Sequence, residues 1–293
     1  MFKFLSLFKN PKFVLTLTLL IVIPFITYNL FQLQINNILG VKTQQQPSPQ
    51  PIISPPPASG SSPTATPETS HFLSPTPLPI LSKSTYTIAL YGDSMVDTMG
   101  ENLEYLDTAL KVKYPQTQFK LYNFGIGSQN IEQGLNRFSQ SFIYQTRNYP
   151  PITQIKADVI VLGSFAYNPF SPHDKNKHYT TLLQLINQAK NTGADVYILA
   201  EIAPLKVGFG KGPGGVNWSE EVAAKHVKNI QEQIGNAISL SKGQNVGLIN
   251  VYQASQDSKY GNAIYVNPND GIHPSGDGHA LTANLIVKTI KLK

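Results

Sequence analysis

The chain has 293 residues, a formal net charge of +6 and no cysteine, which excludes disulfide bridges, thiolate metal sites and a cysteine nucleophile. The positive charge is concentrated near the amino terminus: residues 1–42 contain four lysines and no acid, which leaves a net charge of only +2 for residues 85–293. No basic stripe interleaved with aromatic residues occurs in residues 85–293, so nucleic acid is not an expected partner.

An apolar run without charges spans residues 13–31 and follows Lys3, Lys9 and Lys12. Its roughly nineteen residues are enough to cross a hydrocarbon core of about 30 Å as a helix. Lysines before such a helix favour a cytoplasmic amino terminus. We therefore expect residues 1–42 to form a cytoplasmic tip and a single-pass anchor in the cell membrane, with the rest of the chain outside the cytoplasm. A cleaved signal peptide is the alternative.

Residues 43–84 differ in composition from the rest of the chain, because they hold 11 of its 22 prolines, interspersed with serine, threonine and glutamine. Such a segment buries too little apolar surface to offset the entropy lost on ordering. It predicts an extended, disordered linker that holds the following domain away from the membrane. Residues 85–293 are numerous enough to bury the core of a single domain.

Residues 85–293 alternate between strand patterns and helix patterns. Short runs rich in β-branched and aromatic residues predict five strands, and amphipathic stretches predict helices between them. The strands are predicted at residues 86–91, 119–124, 158–162, 195–200 and 246–251, and the helical patterns begin near Leu103, Ile131, Leu182, Ser219 and Gly278. We predict an α/β domain with a mainly parallel five-stranded sheet, because this alternation is typical of such sheets. Ligands bind at the carboxyl ends of their strands.

The first predicted strand ends at Gly92-Asp93-Ser94. A serine at a strand-to-helix turn can lift its hydroxyl out of the sheet edge, near the positive end of a helix. Ser94 is therefore a candidate nucleophile. The alternative is an ordinary turn and helix cap, since glycine, aspartate and serine are also the residues that turns use. Asp93 is expected to orient this turn, and Asp97 to be solvated or to act as a cap.

A serine hydroxyl needs a nearby base to take its proton, and the base works best when a third group fixes its tautomer. Asp270 and His273, between the last strand and the last helix, supply such a pair. Their spacing can put the carboxylate against one imidazole nitrogen while the other nitrogen faces outward. The remaining histidines are expected on the surface or in packing roles: His71, His173, His178, His226 and His279.

Three features in combination resemble the SGNH, or GDSL-type, hydrolases. They are Gly92-Asp93-Ser94, the segment Asn123-Phe124-Gly125 after the second strand, and Asp270 with His273 before the last helix. The resemblance covers residues 85–293. It implies a three-layer, flavodoxin-like fold and ester or acyl chemistry through Ser94, His273 and Asp270, without a metal or cofactor.

The family's oxyanion hole implies further site residues, two of which lie in segments that depart from the family pattern. One donor is the backbone N–H of the serine, here Ser94. A second comes from the second motif, where Ser128 stands at the family's glycine position and Gly127 is the neighbouring alternative. The third is an asparagine side chain, but Phe165 occupies that position. Asn168 is the only amide close by, and we predict that it takes this role.

The glycine-rich loop (residues 208–215) follows the fourth predicted strand and precedes Trp218. It lies on the face where the site is expected. It is either a mobile lid whose aromatic residue contacts substrate or a long flexible connection.

These observations favour a membrane-anchored, extracytoplasmic serine esterase or acylhydrolase of the SGNH type. Its expected substrate is an ester or O-acetyl group on a small molecule, a glycan or a lipid. Two alternatives remain: an O-acyltransferase that uses the same three residues on an envelope glycan, and a non-catalytic binding domain that keeps the fold.

Overall fold

The structure, a computed structural model, describes residues 81–293. The predicted membrane anchor in residues 1–42 lies outside the described residues, as does the predicted linker up to residue 80. Within residues 81–293, no helix is both long enough and apolar enough to cross a membrane. At the start of the described chain, Lys83 Nζ lies 2.5 Å from Asp158 Oδ1, so the chain already contacts the domain there.

The strands and helices alternate along the chain. The strands are β1 (Thr85–Gly92), β2 (Gln118–Gly125), β3 (Phe142–Tyr144), β4 (Arg147–Tyr149), β5 (Val159–Gly163), β6 (Asp195–Ala200), β7 (Gly247–Asn250), β8 (Gln256–Asp257) and β9 (Tyr260–Gly261). The helices are α1 (Ser94–Asp97), α2 (Glu104–Lys113), α3 (Ile131–Arg137), α4 (Lys175–Lys190), α5 (Glu220–Gln244), α6 (Val251–Ala254) and α7 (Gly276–Thr289).

Five strands form one sheet in the order β2-β1-β5-β6-β7, and each neighbouring pair is parallel. The central strand β5 is buried along its whole length because helices cover both faces of the sheet. Residues of β1 alternate between the two faces. Ile88 and Leu90 pack in the core under α2 and α7, and Ala89 and Tyr91 pack in the core under α3 and α4. The domain is therefore a three-layer α/β sandwich.

The predicted parallel sheet is confirmed, and each of its five strands agrees with the sequence pattern to within one residue at either end. Two antiparallel hairpins, β3–β4 and β8–β9, were not predicted, because two or three residues a strand carry no usable periodicity. The short helix α1 was also missed. It begins at Ser94 itself, whereas the amphipathic pattern begins only near Leu103.

Candidate active site

The turn that carries Ser94 is built by its two preceding residues. A Cβ on Gly92 would lie 2.4 Å from Val96 Cγ2, so glycine allows α1 to pack directly on the end of β1. Asp93 is fully buried, and its Oδ1 accepts the Met95 N–H at 3.0 Å, which caps α1. The prediction that Asp93 orients the turn is confirmed. Ser94, the first residue of α1, is half-buried at the carboxyl edge of the sheet.

Asp270 and His273 form the pair that their spacing predicts. Asp270 Oδ1 accepts the backbone N–H groups of Ile272 at 2.7 Å and His273 at 2.9 Å, and Oδ2 lies 2.9 Å from His273 Nδ1. An ionised carboxylate only accepts hydrogen bonds, so Nδ1 carries the proton and Nε2 is left as the acceptor. The Asn267 N–H donates to the His273 carbonyl at 2.8 Å and closes the segment, called here the Asp270 loop (residues 267–273).

The carboxyl beneath the serine turn, that of Asp93, has a raised pKa. Burial raises the pKa of the Asp93 carboxyl to about 6, and a charge on His273 lowers that pKa. Within residues 81–293 the Ser94 hydroxyl makes no hydrogen bond, so its bond to His273 Nε2 stays a prediction; such bonds are often long in unliganded enzymes and tighten with substrate.

The loop after β2 lies beside the serine turn. The Ile126 N–H donates to the Gly92 carbonyl at 3.2 Å. A Cβ on Gly125 would lie 2.2 Å from the Asp97 nitrogen, so glycine is required for β2 to approach α1. These contacts bring the second motif to the same sheet edge as Ser94.

Three of the predicted oxyanion donors are unpaired within the part of the chain that the structure describes. The backbone N–H groups of Ser94, Gly127 and Ser128 have no acceptor there. Ser128 has a φ of 60°, a left-handed conformation that turns its backbone relative to β2. Unpaired N–H groups at the carboxyl edge are what an oxyanion hole requires. Their use as donors stays a prediction.

The segment that follows β5 shows how the chain departs from the family pattern. Phe165, at the position of the family's asparagine, is fully buried and packs against Tyr91, with a ring distance of 6.1 Å. A Cβ on Gly134 would lie 2.5 Å from the Phe165 ring, so the absence of a side chain on α3 makes room for it. Asn168 instead reaches the serine turn, and its Nδ2 donates to Asp93 Oδ2 at 2.9 Å. One of the two amide hydrogens of Asn168 remains for another acceptor.

The role expected for Asp97 is wrong. Instead of being solvated or capping, its carboxylate pairs with the Arg147 guanidinium, whose side chain is only 2% exposed. Arg147 comes from β4 and also donates to the Asn123 carbonyl at 2.9 Å. The Asn123 amide in turn donates to the carbonyls of Val96 at 3.0 Å and Gly100 at 2.7 Å. This network fixes the end of α1 to β2.

A buried carboxyl supports the loop that carries Asn168, and the sequence reasoning missed it. Glu201 directly follows β6, and its Oε1 accepts the Ser164 N–H at 2.6 Å while its Oε2 bonds the Ser164 hydroxyl. His178 Nε2 lies 2.9 Å from the Ser164 carbonyl, so Ser164 is held on both sides. The sequence feature that could have indicated Glu201 is its position as an acid at the carboxyl end of an apolar strand. Within residues 81–293, no group of three or more acidic or histidine side chains could hold a metal ion.

Glu201 makes stability depend on pH. Burial, reinforced by the charge of Asp93, raises the pKa of the Glu201 carboxyl from 4.5 to about 8. The folded state therefore holds a proton that the unfolded state releases, and stability falls as pH rises from about 4.5 through about 8. Glu201→Gln keeps an acceptor and a donor for Ser164 and should remove most of this decline, on the order of 2–4 kcal/mol.

Urea unfolding of both proteins at pH 5 and pH 8 measures this difference. Glu221→Gln, at an exposed position in the first turn of α5, is the matched control and should leave the pH dependence of the wild type unchanged. A decline as steep in Glu201→Gln as in the wild type would show that Glu201 is ionised in the folded protein.

The glycine-rich loop packs against the Asp270 loop. The Gly210 N–H donates to the Gly271 carbonyl at 3.2 Å, and the Gly214 N–H donates to the Asn269 carbonyl at 2.8 Å. A Cβ on Gly271 would lie 2.2 Å from the Gly208 carbonyl oxygen, so the two backbones can approach only because glycine is present. The glycine-rich loop therefore braces the segment that positions Asp270 and His273.

Solved structures of several enzymes share this fold. The lipase/acylhydrolase from Enterococcus faecalis aligns with a TM-score of 0.51 and 18% identity over 71% of this chain and 98% of its own. A GDSL-like lipase from Bacteroides thetaiotaomicron aligns with a TM-score of 0.50 and 16% identity over 69% and 86% of the two chains. The acetyl xylan esterase AlAXEase aligns with a TM-score of 0.51 and 17% identity over 69% and 98%. At these identities the similarity shows the fold.

No curated protein matches the sequence. The family model of the GDSL-like lipases and acylhydrolases matches residues 88–286, which is more than half of the chain and includes Ser94, Asp270 and His273. The resemblance drawn from the three motifs is thereby confirmed, together with the expected enzyme class. The chain belongs to the GDSL-like lipase/acylhydrolase family, whose members are serine hydrolases that act on ester bonds.

Proposed function

We propose that residues 85–293 cleave an ester or O-acetyl group by a Ser-His-Asp mechanism. The observation that carries this proposal is the geometry of Asp270 and His273. Oδ1 of the carboxylate is held by two backbone N–H groups, and Oδ2 bonds Nδ1 of the imidazole. Nε2 of the neutral imidazole is left as a hydrogen-bond acceptor that can receive the proton of a serine hydroxyl.

In this mechanism His273 Nε2 takes the proton of the Ser94 hydroxyl as its oxygen attacks the ester carbonyl. The carbonyl oxygen becomes an oxyanion, and the backbone N–H groups of Ser94 and of Gly127 or Ser128 stabilise it, together with the free amide hydrogen of Asn168. The imidazolium then protonates the departing alcohol, and the acyl group remains bound to Ser94. Water, activated by the same imidazole, releases the acid.

A fluorophosphonate probe tests the mechanism directly, because it reacts with a serine only when a neighbouring base and oxyanion donors activate that serine. We expect one adduct, on the peptide that contains Ser94, and none in Ser94→Ala. Heat-denatured protein is the control for non-specific labelling. Absence of an adduct on the folded wild type would contradict the proposal and favour a non-catalytic domain, and an adduct on another residue would show that Ser94 is not the nucleophile. Acyl transfer would appear as a new ester when a glycan acceptor is supplied with an acetyl donor.

We also propose that the enzyme is anchored in the cell membrane and acts outside the cytoplasm. The support is the uncharged apolar run at residues 13–31 and the three lysines before it. An ester on an envelope glycan or lipid would be within reach of a domain on a proline-rich linker. Protease added to intact cells that express the full chain should cleave the linker in residues 43–84; protection until the membrane is broken would place the domain in the cytoplasm.

A further inference from the structure

A cavity lies away from the proposed catalytic residues, between the segment 206–211 and the amino-terminal half of α5. Its volume is about 630 Å³, and its lining includes none of Ser94, Asp270 and His273. This size is within the range of roughly 300–1,000 Å³ that is typical of small-molecule sites.

The walls of the cavity are apolar. Phe209, Ala223 and Val227 all line it and are almost completely buried, with exposures of 2%, 8% and 4%. Val207 also lines the cavity, with 81% of its surface exposed. The neutral polar side chains in the lining are those of Gln231 and Tyr260. A hydrocarbon chain fits such walls better than a sugar, which needs many hydrogen-bonding partners.

The mouth of the cavity is cationic. Lys206, Lys211 and Lys228 line it against a single acid, Glu220, which leaves an excess of two positive charges. Within residues 81–293 none of these lysines pairs with a carboxylate. Lys211 Nζ donates to the Trp218 carbonyl at 2.5 Å. Lys206 and Lys228 therefore present exposed ammonium groups beside an apolar cavity.

We propose that this cavity binds a linear fatty carboxylate. Its hydrocarbon chain would lie against Phe209, Ala223 and Val227, and its carboxylate would meet the ammonium groups of Lys206 and Lys228. Each half of such a ligand matches one half of the site: burial of the chain supplies the hydrophobic contribution, and the excess positive charge selects the sign of the head group. A short acid lacks the chain, and a cationic amphiphile carries the wrong charge.

Bound ligand would be detectable without any enzymatic assay. The chain has one tryptophan, Trp218, whose carbonyl is bonded to Lys211 at the cavity mouth and whose ring lies 4.8 Å from that of His226. The His226 ring also lies 5.7 Å from the Phe209 ring on the cavity wall. Occupation of the cavity should therefore change the Trp218 fluorescence.

The test is a titration of the full chain with monomeric sodium decanoate, followed by Trp218 fluorescence and by calorimetry. We expect saturable binding of one decanoate, and none of acetate or decyltrimethylammonium. Lys228→Glu should weaken binding about tenfold, which corresponds to about 1.4 kcal/mol. Lys225→Glu makes the same charge change at an exposed position on α5 that does not line the cavity, and it should leave the affinity within about twofold, less than 0.5 kcal/mol.

A second variant tests the location of the ligand by filling part of the cavity with a larger side chain. Ala224 is exposed at the mouth, so Ala224→Phe should block binding without disturbing the core, as an unchanged melting temperature would verify. Equal weakening by Lys225→Glu and Lys228→Glu would indicate general charge attraction and overturn the proposal. Binding that survives Ala224→Phe would place decanoate elsewhere, including the catalytic site, and binding only to anionic vesicles would indicate a membrane surface instead. Ser94→Ala should bind decanoate like the wild type, so this test is independent of the proposed hydrolysis.

Discussion

Asp270→Asn is expected to lower kcat for an aryl acetate about 10⁴-fold, because the substitution reverses the tautomer of His273. In the wild type, Oδ1 accepts two backbone N–H groups and Oδ2 accepts the proton on His273 Nδ1. Asparagine must direct its oxygen toward the backbone N–H groups of Ile272 and His273, because the opposite orientation would point its NH₂ group at these two donors. Its NH₂ then faces Nδ1, which must become the acceptor, and Nε2 acquires the proton.

A protonated Nε2 cannot take the proton of the Ser94 hydroxyl, so the loss falls on kcat and not on substrate binding. The fold should be retained because both backbone hydrogen bonds of the Asp270 loop are preserved, and thermal melting verifies this. Asp277→Asn is the control: Asp277 is an exposed acid in the first turn of α7, and its substitution should change kcat by less than about twofold. An Asp270→Asn enzyme that stays within about tenfold of the wild type would rule out Asp270 as the group that orients the base.

Asn168→Ala is expected to lower kcat about 10²–10³-fold, the usual effect of losing one oxyanion donor. The Asn168 amide reaches the serine turn through its hydrogen bond to Asp93 Oδ2 at 2.9 Å. It would take the role of the family's asparagine, whose position Phe165 occupies. Asn176→Ala, at an exposed position on α4, is the matched control and should leave kcat unchanged.

The pH profile separates the two ways in which Asn168 can act. The amide hydrogen bond helps to lower the pKa of the buried Asp93, so its removal should raise that pKa above about 6. If Asn168 acts only by positioning Asp93, the deficit of Asn168→Ala should change with pH where Asp93 titrates. A donor to the oxyanion predicts a loss in kcat that persists at pH 9, well above the range in which Asp93 titrates. Activity equal to that of the wild type would exclude both roles and leave the oxyanion to the backbone N–H groups.

Local sequence patterns were sufficient for the features that depend on neighbouring residues. The sheet follows from near-continuous apolar runs separated by amphipathic helices, so its five strands were predictable. The contact between Asp270 and His273 was predictable because a spacing of three residues in a loop allows the carboxylate to reach its own segment's imidazole and N–H groups. The capping role of Asp93 is equally local, since its acceptor bonds the N–H two residues later.

The features that were missed join segments far apart in the chain. Asp97 looked solvated because its partner, Arg147, lies on a hairpin too short to predict. Glu201 looked like an ordinary polar residue after a strand, and only the fold buries it against Ser164, where the charge of Asp93 helps to raise its pKa. The packing of Phe165 depends on the space left by a glycine in α3.

The sequence by itself therefore determined the α/β class, the family, the candidate nucleophile and the acid–histidine pair, because each depends on periodicity or on residues within a few positions of one another. It also carries the prediction of a membrane anchor and a proline-rich linker. Only the tertiary structure decided which amide approaches the serine turn, which carboxyls are buried beneath it and where an apolar cavity opens beside cationic side chains. Those outcomes depend on how strands β1, β5 and β6 align their carboxyl ends and on how the glycines let the loops above them approach, and spacing along the chain contains neither.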